Sequence, residues 1–164
     1  MKQITAGRLF LLAGIIAFIS GCSSSKQIST SATPLEITRA INNDQWMFNA
    51  TYVLPAYGSS RDVIGSYYVK CNSHDLIVAL PYFGRLTSPS GNYNGNPLDF
   101  HSANFKLSKE ERQNGEWRIT IEAPNPEVQS MTFSFYDNGT AQLSVVMTSR
   151  TAISFNGNLR PLQS

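Results

Sequence analysis

The feature that most constrains this chain is an alternation of apolar and polar residues that starts at residue 46 and recurs almost to the end. A period of two puts every second side chain on the same face of a β-strand, so each stretch offers one apolar face to a common interior. The clearest stretches are WMFNATYVL, SYYVKC, DLIVALPYF, EWRITIEA, QSMTFSFYD and TAQLSVVMTS. With LDFHSANFKL, which alternates less cleanly and is expected to carry a bulge, and TAISFNG, they predict about eight strands.

Short connections between these stretches predict an antiparallel meander. Tight turns are expected at 72–75 and 114–115, and Asn138-Gly139 predicts a type I′ hairpin with positive φ at both residues. The first strand is expected to place five residues on one face, namely Trp46, Phe48, Ala50, Tyr52 and Leu54. The predicted fold class is all-β, and the pattern leaves a flattened barrel and a two-layer sandwich equally open.

One short helix is predicted before the strands. Pro34 suits the first helical position, Thr33 the N-cap and Glu36 the third position, which together form a capping box. Asn42-Asn43 is expected to end the helix. Its apolar residues are expected to cover a sheet edge or a barrel end: Leu35, Ile37 and Ile41.

The segment before this helix follows a different pattern. Lys2 and Arg8 precede an uninterrupted apolar run over 9–19. A run of this length is too short to cross a hydrocarbon core of about 30 Å and is typical of a signal peptide. It ends in Ile-Ser-Gly-Cys at 19–22, which resembles the bacterial lipobox, so Cys22 is expected to be lipidated. We expect three parts: a lipoprotein signal peptide over 1–21, the lipidated cysteine with a Ser/Thr-rich flexible tether over 22–33, and a single β domain over 34–164.

A lipid on Cys22 predicts membrane attachment in the bacterial cell envelope. One acyl chain binds a bilayer only marginally, whereas the several chains of a lipoprotein anchor hold it effectively permanently. Ser23 follows the cysteine, where an aspartate would favour retention in the inner membrane. The expected location is therefore the outer membrane, facing the periplasm.

The charge balance excludes a nucleic-acid partner. Two of the 13 lysines and arginines, Lys2 and Arg8, precede Cys22, so the remaining 11 balance the 11 acidic residues. A neutral domain lacks the basic surface that phosphate contacts require.

The sequence predicts neither a catalytic site nor a metal or cofactor. Cys71 is the second cysteine, alternates in phase with Tyr67 and Val69, and is expected to be a buried, inert thiol without a disulfide. His101 next to Asp99 invites a metal interpretation, but two histidines in the chain without ligand spacing make zinc improbable. The chain has no GxSxG, HExxH or phosphate-binding motif.

The hexamer LPYFGR, residues 80–85, is the most distinctive segment. Its order with YVLPAYGSSRDV, SYYVKC, SGNYNGNPLDF, NGTAQLSV and ISFNG resembles the DUF4251 family, lipoproteins of Bacteroidetes with no assigned function. The resemblance covers about residues 45–160. It implies an all-β envelope lipoprotein and brings no catalytic residues with it.

Two loops carry the candidate ligand-binding residues. Residues 81–99 form the longest stretch without strand character, and long loops in small domains are often functional. The alternative is a structural loop in which Pro81 ends a strand, Gly84 forms a bulge and Tyr82 packs inward, in phase with Leu76, Val78 and Leu80. The loop at 55–63 is the second, and it lies at either the same end or the opposite end. Arginines that converge there would form an anion site, whereas pairing with Asp62 or Asp99 would indicate ordinary structure. The candidates are Tyr57, Arg61, Tyr82, Phe83, Arg85, Asn92 and Tyr93.

These residues favour a non-enzymatic binding module for a small ligand, a glycan or a protein partner. The alternative is a structural or accessory subunit of an envelope complex, which an exposed apolar patch would favour. A less favoured alternative is an envelope hydrolase that uses carboxylates such as Asp99 and Glu122.

Overall fold

The computed structural model describes residues 32–88 and 95–162, which contain one α-helix, ten strands and a single 3-10 turn at Gln113–Gly115. The elements are α1 Pro34–Asn42, β1 Trp46–Pro55, β2 Arg61–Asp62, β3 Tyr68–Cys71, β4 Leu76–Ala79, β5 Asp99–Ser102, β6 Lys106–Glu111, β7 Glu116–Glu122, β8 Val128–Tyr136, β9 Thr140–Met147 and β10 Ile153–Pro161. Every pairing is antiparallel. The predicted all-β class with one short N-terminal helix is therefore confirmed. The predicted lipidation site, Cys22, lies outside the described residues.

The strand count exceeds the predicted eight for two reasons. The loop after β1 folds back for two residues as β2, which pairs with Tyr52 and Val53. The stretch at 98–107, predicted to carry a bulge, breaks at 103–105 into β5 and β6. The hydroxyl of Ser102 and the backbone of Asn104 hydrogen-bond to each other across this break.

This break explains the shape of the sheet. The strand order is β5-β4-β3-β1-β10-β9-β8-β7-β6, so the two edge strands are consecutive in the chain. Strand β5 ends at Ser102 and β6 begins at Lys106. Even a fully extended chain spans at most about 14 Å over this separation. The sheet must curl until its edges meet through this link, and it forms a single curled half-barrel and not two packed layers.

Aromatic side chains fill the interior across the curl. Trp46 on β1 makes edge-to-face contacts with Phe133 and Phe135 on β8, with ring centroids 5.1 and 4.9 Å apart. Phe48 also meets Phe133 at 5.7 Å. Because β10 and β9 separate β1 from β8 in the sheet, these contacts cross the core. An aromatic pair of this kind stabilises the fold by roughly 1 kcal/mol beyond its buried area.

Helix α1 begins with the predicted capping box. The Glu36 amide donates to the Thr33 hydroxyl at 3.4 Å, and the Thr33 amide donates to the Glu36 carboxylate at 2.7 Å. The Thr33 amide and the Thr33 hydroxyl both donate to the Glu36 carboxylate, and these two hydrogen bonds lower the pKa of Glu36 below its usual value. Ile37 and Ile41 are buried as expected, but the expectation for Leu35 is wrong, because its side chain is 59% exposed. Within the described residues, no helix combines the length and apolar character needed to cross a membrane.

The C-terminal end of α1 is tied to two parts of the sheet. Lys109 on β6 donates to the carbonyls of Ile41 and Asn42 at 3.2 and 3.0 Å, where a cation complements the helix dipole. Ser73, in the β3–β4 turn, donates to the Asn43 carbonyl at 3.3 Å. The helix therefore fastens strand β6 to the β3–β4 turn at one end of the half-barrel.

A bulge in β1 corrects the predicted face of that strand. Ala50 pairs with Gly157 and Tyr52 with Asn156, so Thr51 is an extra residue in the ladder. One extra residue inverts the alternation that follows it. Val53 is consequently buried, while Tyr52 and Leu54 lie on the outer face.

The turn predictions are confirmed in position, but one is wrong in type. Gly139 has a positive φ of 83° and Asn138 does not, so this hairpin lacks the type I′ conformation. The Gly139 amide donates to the Tyr136 carbonyl, and the Asn138 side chain accepts from the Thr140 amide. Positive φ at two successive residues occurs instead at Asn114 and Gly115.

Cys71 is the buried thiol that its alternation predicted. It is completely shielded from solvent on β3, and its nearest polar contact is a long hydrogen bond to the Asn72 carbonyl. Burial raises its pKa to about 12, with a further contribution from the Asp44 carboxylate. A thiol in this environment stays protonated and unreactive at neutral pH.

A substitution at Gly157, opposite Ala50 next to the bulge, tests how closely β1 and β10 pack. A Cβ at this position would overlap the Asn49 carbonyl oxygen and crowd the Phe48 ring. We expect Gly157→Ala to lower the free energy of unfolding by about 1–3 kcal/mol, measured by urea denaturation followed by tryptophan fluorescence. The control is Asn158→Ala, at the exposed neighbouring position, which should change it by less than about 0.5 kcal/mol. Equal stability of the two variants would contradict the close approach of β1 and β10.

Candidate binding surface

Four connections gather at the end of the half-barrel opposite α1. They are the β1–β2 hairpin, the β4–β5 connection, the β7–β8 loop and the β9–β10 turn. Backbone hydrogen bonds join the second and the fourth, from Thr151 to the Arg85 carbonyl and from Thr87 to the Ser149 carbonyl, both at 2.9 Å. The Asn125 side chain joins the β7–β8 loop to the Pro97 carbonyl at 3.2 Å. The sequence left open whether the first two loops share an end, and the structure shows that they do.

The β1–β2 hairpin and the β4–β5 connection interlock through two arginine–ring contacts. The guanidinium carbon of Arg61 lies 4.2 Å from the centre of the Phe83 ring. The guanidinium carbon of Arg85, on the other loop, lies 5.9 Å from the centre of the Tyr57 ring. Each loop supplies one ring and one cation. We call these four residues the loop-end surface.

Neither arginine of the loop-end surface has a carboxylate partner in the part of the chain that is described. The ion pairs there involve other residues, and no carboxylate oxygen lies within 4.0 Å of either guanidinium. The alternative in which Arg61 or Arg85 pairs with Asp62 or Asp99 is therefore wrong. Asp99 instead starts strand β5, opposite Ala79 on β4.

The two rings of the loop-end surface and Leu86, next to Arg85, are exposed. Tyr57 is 64% exposed, Phe83 38% and Leu86 55%. Single exposed apolar residues are common on globular domains, so it is their position beside arginines without a described carboxylate partner that makes this end a candidate contact surface. Arg61 and Arg85 are exposed as well.

Tyr82 is placed differently from the other candidates. Its hydroxyl donates to the Thr151 carbonyl at 2.8 Å, and its half-buried ring packs against the core. A Cβ on residue 84 would overlap that hydroxyl, which explains the glycine there. Tyr82 thus fixes the β4–β5 connection onto the β9–β10 turn.

Sequence reasoning missed the ion pair beneath this connection. Arg150 donates through Nε to a Glu127 carboxylate oxygen at 2.6 Å, and both side chains are largely buried, at 11% and 14% exposure. The Arg150 guanidinium also lies 5.4 Å from the centre of the Tyr82 ring. The pair joins three connections, but its members are 23 residues apart in the chain and no local motif marks them.

Sequence reasoning also missed a shallow depression of about 310 Å³ on the outer face of the sheet. Strands β7 to β10 and β1 line it with both polar and apolar residues: Leu54, Arg118, Thr132, Ser134, Gln142, Leu143, Ser144, Ser154, Phe155 and Asn156. The outward positions of the alternating stretches were the available signal for this face.

The remaining candidates give no second site. His101 hydrogen-bonds Asp75 at 3.0 Å, and not its neighbour Asp99. Among residues 32–88 and 95–162 no group of three His, Cys, Asp or Glu side chains is arranged to hold a metal ion. Asn92 and Tyr93 lie outside the described residues.

The chain forms an all-β domain with two exposed rings and two arginines without a described carboxylate partner at one end. The chain belongs to the DUF4251 family, which is described as a domain of unknown function. The sequence model of this family matches residues 31–159. The resemblance inferred from LPYFGR and its neighbours is therefore confirmed, and the match extends over the helix as well.

A solved relative agrees with the fold. The chain is similar to a DUF4251 family protein from Bacteroides eggerthii DSM 20697, known from a 1.95 Å crystal structure, with a TM-score of 0.56 and 12% sequence identity. The alignment covers 80% of this chain and 89% of that one. No curated protein matches the sequence.

Tyr82→Phe tests whether this ring is a support and not a contact residue. Removing its hydroxyl leaves the buried Thr151 carbonyl without that donor, so the free energy of unfolding should fall by about 1 kcal/mol. The amides of Arg85 and Thr87, which donate to the β9–β10 turn, should exchange faster with solvent. Tyr57→Phe is the matched control, because no described hydrogen bond uses its hydroxyl, and it should change neither quantity. Unchanged stability and exchange in Tyr82→Phe would contradict the supporting role.

Proposed function

We propose that this chain is a lipid-anchored protein of the bacterial cell envelope that binds a protein partner through the loop-end surface. The observation that carries the proposal is the reciprocal contact of Arg61 with Phe83 and of Arg85 with Tyr57, on exposed side chains without a carboxylate partner among the described residues. Tyrosine, phenylalanine and arginine are enriched in the cores of protein interfaces, and tyrosine and arginine are frequent among the residues that dominate binding energy.

A protein partner fits this surface better than a small ligand or a glycan. The exposed rings and Leu86 offer apolar area, and apolar burial is what drives most protein association. The rings are also held in advance, because each lies against a guanidinium of the other loop, so little conformational entropy is lost on binding. The partner is one protein or the rest of an envelope complex, in which case this chain serves as its accessory subunit.

The anchor and the location rest on the N-terminal sequence. The lipobox at 19–22 supports lipidation of Cys22, and Ser23 supports sorting to the outer membrane, with the domain facing the periplasm. A protein held permanently at a membrane meets its partner at high local concentration, so even a surface of modest area suffices.

A binding role is favoured over hydrolysis by the positions of the carboxylates. Glu122 pairs with Lys106 in the β6–β7 ladder, whereas Asp99 pairs with Ala79 in the β4–β5 ladder. Both side chains are exposed, and they lie on two different strand pairs. A glycoside hydrolase instead needs two carboxyl groups that face each other across one cleft. Our proposal is accordingly non-enzymatic.

Site-specific photo-crosslinking in cells tests the proposal. We expect p-benzoylphenylalanine in place of Tyr57 to yield a discrete adduct with one envelope protein. The control is the same residue in place of Leu35, which is 59% exposed at the helix end of the domain and should yield no such adduct. Changing Phe83 to alanine in the crosslinking strain should reduce the yield from position 57.

Two outcomes would contradict the proposed function. One is the absence of any adduct from position 57 above the level seen at position 35. The other is the same set of adducts from both positions, which would indicate nonspecific contact.

A further inference from the structure

We infer that the partner of the loop-end surface presents an acidic protein segment, in which two carboxylates bind Arg61 and Arg85 and an apolar side chain packs on the exposed rings. This inference rests on the proposed function and specifies its partner. Three observations support it. The two guanidinium groups have no carboxylate partner among the described residues, the two rings are exposed, and the surface lies at the end of the domain opposite the helix that follows the predicted tether.

The guanidinium groups have unused hydrogen-bonding capacity. Each guanidinium carbon lies over a ring, and each group carries five N–H donors. No described acceptor takes a hydrogen bond from the side chain of Arg61 or Arg85, and the nearest sequence neighbour of opposite charge, Asp62, forms no ion pair with either. A carboxylate is the protein group that pairs with a guanidinium through two parallel hydrogen bonds.

The two cations belong to one surface, which favours two carboxylates in one partner segment. Two contacts join the loops, that of Arg61 with the Phe83 ring and that of Arg85 with the Tyr57 ring. The rings are exposed, and Leu86 adds an exposed apolar side chain next to Arg85. A segment that carries both acidic and apolar residues matches this combination of charge and apolar area.

An anionic membrane is the competing source of negative charge, and the topology disfavours it. Helix α1 directly follows the predicted tether and lies at the end opposite the loop-end surface. Strand β1, which runs between these ends, is ten residues long. At the rise of an extended strand this separates the ends by about 33 Å. To bring the loop-end surface to the bilayer that holds Cys22, a tether over 22–33, at most about 40 Å long, would have to run back along the whole domain.

The side chains themselves also favour a protein over a lipid headgroup or free phosphate. Surface binding to anionic lipid relies on clusters of several basic residues. The loop-end surface has two cations, and its exposed rings need an apolar partner that phosphate does not supply. A protein segment with carboxylates and apolar residues would supply both the negative charge for the arginines and the apolar contact for the rings.

Selection from a library of random peptides displayed on phage tests this chemistry. The target is the full-length protein in detergent micelles. We expect the selected peptides to share acidic residues together with an aromatic or aliphatic residue. Their synthetic versions should bind Arg61→Gln/Arg85→Gln about tenfold or more weakly than the wild type, and replacing their acidic residues by glutamine should have the same effect.

Controls separate the alternatives. Arg61→Lys/Arg85→Lys keeps the charge but loses the two-pronged geometry, so it should bind the acidic peptides with intermediate affinity. Tryptophan-monitored unfolding should show that both double variants fold. Vesicles of phosphatidylglycerol and inorganic phosphate are added separately, and neither should compete with the peptides at physiological salt.

The experiment distinguishes failure of the acidic-partner inference from failure of the proposed function. Neutral peptides that lose binding in Tyr57→Ala would overturn the acidic partner and leave the proposed function intact, as would displacement of the peptides by vesicles or by phosphate. Peptides that bind Tyr57→Ala and the arginine variants as well as the wild type would overturn both.

Discussion

The structure depends on the short link at 103–105, because it joins the two edge strands of one sheet. An open sheet of this size would otherwise leave its two edges far apart, with unpaired backbone groups along each. The short link requires the sheet to curl, and the curl brings Trp46 on β1 against Phe133 and Phe135 on β8. The same closure lets Lys109, on one edge strand, cap a helix that also touches the β3–β4 turn. Core, helix and sheet shape are thus consequences of one covalent constraint.

At the far end the same scaffold supports loops without burying all of their side chains. The ion pair of Arg150 with Glu127 and the Tyr82 hydroxyl fix the long β4–β5 connection from below. Because these groups hold the backbone, Phe83 and Arg85 are not needed to stabilise it and can face solvent. Exposed rings beside arginines without a described carboxylate partner do not stabilise the domain itself, and binding gives a physical reason to keep them.

Much of the fold was predictable because its determinants are local. Thr33, Pro34 and Glu36 define the helix start within a single turn, and the alternation from residue 46 defines strands and core. The bulge at Thr51 was not predictable, since it depends on how β1 meets Gly157 near the other end of the chain. The candidate loops were found, and the alternation before them already offered an inward Tyr82 as an alternative, which the structure shows. Sequence alone could not show that Arg61 lies on Phe83. Arg150 and Glu127 escaped notice because only the folded chain brings them together.

The proposal on which the account depends most is that the loop-end surface faces away from the bilayer, to which we propose that a lipid on Cys22 anchors the protein. Energy transfer to labelled lipids tests it on protein purified with its native anchor, using a fluorophore on Ser59→Cys at the hairpin tip or on Leu35→Cys at the helix. Cys71 is buried with a raised pKa, so labelling is confined to the introduced thiol. The account predicts strong transfer from position 35 and much weaker transfer from position 59. Equal or stronger transfer from position 59, or none from either, would contradict it.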